Sequence, residues 1–177
     1  MARNKLTPSD TIAYQLKITL FGSEPPIWRR VLVAGNISLA KLHAILQPTM
    51  GWTNSHLHLF KVGQDQFGEP DPEWSDVGDH HRVRLCDAAP KAGDKFIYIY
   101  DMGDDWQHKI EIEEITQTDS SNKIGPVCLA GARACPPEDC GGIGGYAELL
   151  ETLADPEHEG HKDMVEWIGG DWDPEEF

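Results

Sequence analysis

A strict alternation of apolar and polar residues near the N-terminus constrains the fold most. Between residues 11 and 21 every second position is apolar, and these positions are Ile12, Tyr14, Leu16, Ile18 and Leu20. Successive side chains of an extended chain point to opposite faces, so the pattern predicts a strand with one buried face. Gly22 and the Pro25-Pro26 pair interrupt it, and residues 27–33 resume as a second strand. We therefore expect a hairpin whose apolar face needs a covering layer.

A helix after the hairpin supplies that layer. Asn36 or Ser38 is a suitable N-cap, and apolar residues follow at helical spacing: Leu39, Leu42, Ile45 and Leu46. Pro48 should kink or end the helix near its position. Residues 56–62, 95–100 and 107–115 read as further strands, and residues 146–153 and 160–169 as C-terminal helices. Strands and helices do not alternate regularly, which predicts an α+β fold. We expect a mostly antiparallel or mixed, β-grasp-like sheet packed on one central helix.

Other segments lack a clear period. Residues 63–80 and 128–145 are rich in Gly, Pro and acidic or Cys residues, which predicts loops. Residues 82–85 suggest a short strand. Residues 1–10 are expected to be a flexible N-terminus ahead of a single domain over 11–177.

The apolar stretches are too short to span a bilayer, which takes about 20 residues, and no secretory signal is evident. A soluble, cytoplasmic protein without a membrane partner is expected.

The charge is large and unevenly distributed. The formal net charge is −15, yet residues 1–61 hold seven basic and two acidic side chains. The remainder holds the other eight basic side chains and 28 acids. Duplex DNA repels such a chain, so a nucleic-acid partner is not expected. Arg29 and Arg30 point to opposite faces of the second strand, and we expect one of them to pair with a later carboxylate.

Several long motifs occur together in order. They are Pro25-Pro-Ile-Trp-Arg-Arg-Val31, residues 39–52 followed by His56-Leu-His58, Tyr98-Ile-Tyr-Asp-Met-Gly-Asp-Asp-Trp-Gln-His108, Cys135-Pro-Pro-Glu-Asp-Cys-Gly-Gly142 with Gly145-Tyr146, and Asp173-Pro-Glu-Glu-Phe177. From about residue 11 to the end, the chain resembles the plasmid pRiA4b ORF-three-like family. This family includes TnpR-like passenger proteins of insertion elements, so the resemblance implies a mobile genetic element as the context. The TnpR-like label implies a resolvase. A serine or tyrosine recombinase needs an Arg-rich site, whereas this chain has six Arg and a charge of −15.

Candidate site residues fall in four of these motifs. Asp101, Asp104, Asp105, Trp106 and His108 lie between two strands, where carboxylates and an imidazole suit cation binding, acid–base chemistry or simply a capped hairpin turn. His56 and His58 form an i, i+2 pair that suits a metal or a polar strand face. Glu138 and Asp139 are adjacent in a rigid turn. The candidate binding groove combines these residues with two from the second strand, Trp28 and Arg29.

A cysteine-based metal site is a separate hypothesis. Cys128, Cys135 and Cys140 fall within thirteen residues, and His108 would supply the fourth ligand for zinc or another divalent metal. Their spacing is wider than that of zinc knuckles, and small buried thiols are the alternative.

Three functions remain open at this point. The first is a non-catalytic binding or accessory module for a protein or small ligand. The second is a metal-dependent enzyme that uses the His/Asp cluster. The third is an accessory factor in DNA recombination.

Overall fold

The computed structural model describes residues 12–71, 76–118, 124–170 and 172–177. The strands are β1 (Ile12–Leu20), β2 (Trp28–Ala34), β3 (His58–Val62), β4 (Asp65–Gly68), β5 (Val77–Asp79), β6 (Lys95–Tyr100), β7 (Trp106–Gln117) and β8 (Val127–Ala132). The helices are α1 (Leu39–Met50), α2 (Leu85–Ala88), α3 (Gly142–Ala154) and α4 (His161–Ile168). The predicted flexible segment 1–10 lies outside the described residues.

All of these strands join one sheet in the order β5-β4-β3-β6-β7-β1-β2-β8. β1 lies in its interior and pairs antiparallel with β2 and β7, so that Leu16 is opposite Val31 on one side and Ile112 on the other. β4 and β5 pair parallel. The predicted α+β fold with a mixed sheet is confirmed.

Helix α1 covers the apolar face of the sheet. The side chain of Ser38 accepts a hydrogen bond from the backbone N–H of Lys41 at 3.1 Å, as an N-cap should. Gly51 ends the helix in the left-handed conformation with φ 81°, three residues beyond Pro48. The buried apolar residues of α1 join those of β1 and β7 in one core. The alternation in β1 is confirmed, since Tyr14, Leu16, Ile18 and Leu20 are buried.

Three predictions for the segments without a clear period were wrong. The expected loop over 63–80 contains β4 and β5, and the expected loop over 128–145 contains most of β8 and the start of α3. Residues 82–85 form no strand: Arg84 makes an isolated bridge to Ser38, and α2 begins at Leu85. Backbone hydrogen bonds to an existing sheet edge stabilise β4, β5 and β8, so these strands need no apolar alternation.

No helix in the described part of the chain combines the length and apolar character needed to cross a bilayer.

Candidate functional site

Three segments meet at one end of the sheet and bring an imidazole and two carboxylates together. His56 comes from the loop after α1, Asp101 from the turn between β6 and β7, and Asp139 from the loop before α3. One ligand atom from each lies within 4.8 Å of the other two. Nδ1 of His56 is 3.6 Å from Oδ2 of Asp101, and Nε2 is 3.1 Å from Oδ1 of Asp139. We call these three residues the first cluster.

The turn after β6 fixes Asp101. Its backbone is left-handed, with φ 58°, a conformation that Asp tolerates better than most residues. Its N–H donates to the carbonyl of Leu57 at 2.9 Å, and its carbonyl accepts from the N–H of Asp105 at 2.7 Å. Oδ1 accepts from the N–H of Gly103 at 2.8 Å, which leaves Oδ2 facing His56.

Tyr100 ties the His56 loop to the loop before α3. Its buried hydroxyl accepts from the N–H groups of Ser55 at 2.9 Å and His56 at 3.3 Å, and it donates to Oε1 of Glu138. Oε2 of Glu138 accepts from the hydroxyl of Thr53 at 2.6 Å. Burial, followed by the bond to Glu138, raises the pKa of Tyr100 to about 12. Burial alone would raise the pKa of Glu138, but the bonds from Thr53 and Tyr100 outweigh it and lower that pKa.

The loop that carries Asp139 is fastened at both of its ends. The indole N–H of Trp52 donates to the carbonyl of Pro136 at 2.9 Å, and the N–H of Gly141 donates to Oδ2 of Asp104 at 3.2 Å. A Cβ at Gly142 would collide with the carbonyl oxygen of Asp104. The glycine at the start of α3 therefore permits the close approach that holds Asp139, itself left-handed with φ 61°, beside His56.

The imidazole of His56 lies beside the carboxylate of Asp139 without a hydrogen bond between them. Nε2 of His56 lies within contact distance of the Asp139 carboxylate, yet it has no hydrogen bond of acceptable angle in the described residues. Two ligands of one ion would lie near each other in this way, because both would point at the ion. Tetrahedral zinc with bonds of about 2.0–2.1 Å places its ligand atoms about 3.3 Å apart, close to the 3.1 Å observed.

The remaining predicted residues of the turn have other roles. Asp104 anchors Gly141, and the exposed carboxylate of Asp105 accepts from the side chain of Gln107 at 2.8 Å. Trp106 and His108 are buried in the core. Burial lowers the pKa of His108 to about 4, so this side chain is neutral near pH 7.

His56 and His58 lie in separate environments. His56 precedes β3 and lies in the loop, whereas His58 is the first residue of β3 and is buried against His43 and His80. Burial, followed by the charges of the neighbouring imidazoles, lowers the pKa of His58 to about 3. The i, i+2 spacing implied a shared strand face, which requires both residues to be in the strand.

Trp28 and Arg29 do not belong to the first cluster. Arg29 is buried and donates to the carbonyls of Trp28, Thr49 and Ala132. It also lines a cavity of about 610 Å³. On the other face of β2, the side chain of Arg30 lies over the ring of Trp28.

The expected pairing with a later carboxylate is confirmed for Arg30. Its guanidinium contacts Glu113 at 2.6 and 2.8 Å. This hydrogen bond, opposed by burial and supported by the charge of Arg30, lowers the pKa of Glu113.

The cysteines occupy separate environments. Cys128 is exposed, Cys140 is half-buried, and the buried Cys135 thiol lies 3.2 Å from a guanidinium nitrogen of Arg29. Burial raises the pKa of Cys135 to about 11, which disfavours the thiolate that binds metal. Within the described ranges, no group of three potential metal ligands includes a cysteine or His108.

Comparisons with known proteins give a consistent picture. The family model of the plasmid pRiA4b ORF-3-like protein matches residues 12–177. The uncharacterized protein y4hQ of Sinorhizobium fredii is 47% identical over 157 residues, which is 88% of this chain and 80% of that protein. The crystal structure of MM3350, a protein of unknown function from Methanosarcina mazei, is similar with a TM-score of 0.85. It is 37% identical and covers 94% of each chain.

Proposed function

Because the chain belongs to the plasmid pRiA4b ORF-3-like family and the names of its relatives state no activity, we propose a function from the site alone. It is a binding module that holds a divalent cation between His56, Asp101 and Asp139. The observation that carries the proposal is the convergence of these side chains, from three separate segments, within 4.8 Å.

The chemistry of the ligands narrows the cation. Calcium takes six to eight oxygen ligands, whereas a mixed set of one imidazole and two carboxylates suits zinc, manganese or ferrous iron. The carboxylates of Asp101 and Asp139 would neutralise the ion. A site with three protein ligands leaves coordination positions for water or for an oxygen of a small anionic ligand. Asp139 is 71% exposed at its side chain, so such a ligand has access from solvent.

Calorimetric titration of zinc into the untagged, EDTA-treated chain tests the proposal. Asp139→Asn should remove one equivalent of bound zinc, because the amide is uncharged and a poor ligand. Asp105→Asn is a matched control, since Asp105 is also left-handed, with φ 52°, and lies outside the first cluster. It should bind zinc as the parent does. Equal zinc binding by Asp139→Asn and the parent would contradict the proposal.

A metal-dependent hydrolase is the second candidate. Catalytic zinc sites typically combine three protein ligands with a bound water, and the first cluster supplies the same number of ligands. The zinc- or manganese-loaded chain would then hydrolyse p-nitrophenyl phosphate or acetate. The activity should disappear in Asp139→Asn and persist in Asp105→Asn. Metal binding without turnover of either substrate would favour the binding module.

A further inference from the structure

A second group of ligands lies outside the first cluster, and we infer that Glu69, His80 and His81 form an independent divalent-metal site. We call these residues the second cluster. One ligand atom from each lies within 4.8 Å of the other two. Oε1 of Glu69 is 3.2 Å from Nε2 of His80, and Oε2 is 3.8 Å from Nε2 of His81. The inference uses no residue of the first cluster, and it adds a second metal site to the proposed function.

The parallel pairing of β4 and β5 creates the second cluster. Gly68, the last residue of β4, is paired with Asp79, the last residue of β5. Parallel strands end at the same edge of a sheet, so the next residues, Glu69 and His80, emerge side by side. The N–H of His80 donates to the carbonyl of Gly68 at 3.1 Å, and its carbonyl accepts from Ala40 at 3.2 Å. The backbone of His80 is thus held on both sides.

The imidazole of His80 is buried and incompletely paired. His80 is 1% exposed. Its Nε2 is 3.2 Å from Oε1 of Glu69 but has no hydrogen bond of acceptable angle within the described residues. Glu69 is thus its nearest partner, but the pair lacks the geometry of a good hydrogen bond, and buried polar atoms in native structures usually have one. The distance again matches that of about 3.3 Å between two ligand atoms of tetrahedral zinc. An ion between Glu69 and His80 would satisfy this nitrogen.

Buried histidines behind His80 fix its orientation. Nδ1 of His80 is 3.0 Å from Nε2 of His58, and the ring of His58 stacks on that of His43 with centroids 3.5 Å apart. When Nδ1 of His80 donates to His58, Nε2 keeps its lone pair and faces the second cluster. Metal-binding histidines usually have such a partner on the other ring nitrogen, because it sets the tautomer and the ring direction.

The ligand set indicates the class of metal. Two imidazoles and one carboxylate are the protein ligands of one type of catalytic zinc site and of mononuclear ferrous sites with open positions. Glu69 and His81 are 56% and 60% exposed at their side chains, so the ion can enter from solvent. Both can also be substituted without disturbing the core.

Zinc titration of the full chain in the Asp139→Asn background tests the inference, because that change removes the first cluster. This protein should still bind one equivalent of zinc. Glu69→Gln and His81→Gln in the same background should each raise the Kd at least tenfold, roughly the effect known for outer-shell partners. Glu157→Gln and His158→Gln change exposed residues outside both clusters and should leave the Kd unchanged. Cobalt substitution gives an independent readout through the visible absorption of the bound ion.

The possible results separate the two proposals. If Asp139→Asn binds no zinc, or if Glu69→Gln and His81→Gln bind it as well as their background does, the second site is overturned. If Asp139→Asn binds as much zinc as the parent while Glu69→Gln in the parent chain loses one equivalent, the second site stands and the proposed first site falls. Thermal unfolding without metal checks that every variant is folded.

Discussion

Asp139 combines a charge with an unusual backbone conformation. Its φ of 61° is left-handed, which costs a residue with a Cβ about 1–2 kcal/mol and costs Gly almost nothing. We expect Asp139→Gly to be more stable than Asp139→Ala by about 1 kcal/mol, although neither variant should bind zinc at the first cluster. Urea unfolding of both variants without metal measures the difference. Equal unfolding free energies would show that the backbone at Asp139 is not constrained as described.

Tyr100 was missed by sequence reasoning, although it immediately precedes Asp101. The alternation of β6 places Tyr100 inward, and an inward Tyr reads as an ordinary core residue. Its hydroxyl acquires a role only because the His56 loop and Glu138 approach it from distant segments. Thr53, which holds the other oxygen of Glu138, gave no signal for the same reason. Such contacts between distant segments leave no spacing in the sequence.

The hydroxyl of Tyr100 should matter for both stability and binding. Tyr100→Phe leaves the N–H groups of Ser55 and His56 without their acceptor, which should cost about 1–3 kcal/mol. It also frees Glu138 and should weaken zinc binding at the first cluster. Tyr146→Phe is the matched control, because the buried hydroxyl of Tyr146 has no hydrogen-bond partner in the described residues. Urea unfolding and zinc titration should show a loss of stability and of zinc affinity in Tyr100→Phe but not in Tyr146→Phe. Similar losses in both variants would contradict the role assigned to the Tyr100 hydroxyl.

At the scale of elements, the first cluster depends on how closely the loop before α3 approaches the β6–β7 turn. Gly142 lies against the backbone of Asp104, where a Cβ has no room, and its φ is 68°. Gly142→Ala should therefore push the loop away, lower the unfolding free energy by more than 1 kcal/mol, roughly the cost of a left-handed Ala alone, and weaken zinc binding.

Gly144 provides the comparison for that prediction. It lies in α3, and a Cβ there would meet nothing within 4 Å. Gly144→Ala should be neutral or stabilising by up to about 1 kcal/mol, since Ala favours a helix. Thermal unfolding with zinc titration measures both effects. A harmless Gly142→Ala would contradict the close approach described.

The elements that sequence reasoning found and missed differ in where their stability comes from. β1 and α1 carry their own apolar period, so their positions were predictable. β4 (Asp-Gln-Phe-Gly) and β5 (Val-Gly-Asp) are short and carry no such period. Their pairing creates the second cluster, so no local sequence pattern could identify Glu69, His80 and His81 as a group. The hairpin turn at Asp101 was found, because its Asp and Gly residues are typical of turns.

At the scale of the whole molecule, the uneven charge distribution is partly balanced inside the fold. Arg30 of the basic residues 1–61 pairs with Glu113 of the acidic remainder. Within that remainder, Arg133 pairs with Glu175 at 2.8 Å. Arg29 is buried among neutral acceptors. These arginines are thus engaged within the protein and not presented to a phosphate backbone. The recombination hypothesis gains no support from this arrangement.

Buried histidines should make the whole fold sensitive to acid. Burial lowers the pKa of His58 to about 3 and that of His108 to about 4, and it also lowers those of His43 and His80. Below about pH 6.5, the pKa of histidine in the unfolded chain, these histidines bind protons in the unfolded state but not in the folded state. The free energy of unfolding therefore falls as the pH falls. His58 and His108 should each lower the free energy of unfolding by about 2 kcal/mol when the pH falls to 5.

Urea unfolding between pH 8 and pH 5 measures this loss. EDTA in the buffer ensures that the release of metal does not imitate it. An unfolding free energy that is equal at pH 7 and pH 5 would contradict the neutral, buried state of these side chains.

The central claim is that His56, Asp101 and Asp139 hold a divalent cation, and crystallography with anomalous scattering at the zinc edge tests it most directly. A crystal soaked in zinc should show an anomalous peak about 2.0–2.2 Å from a ring nitrogen of His56 and from an oxygen of each carboxylate. Asp139→Asn crystals should lack that peak. A parent crystal that contains zinc elsewhere but shows no peak between these three side chains would contradict the claim.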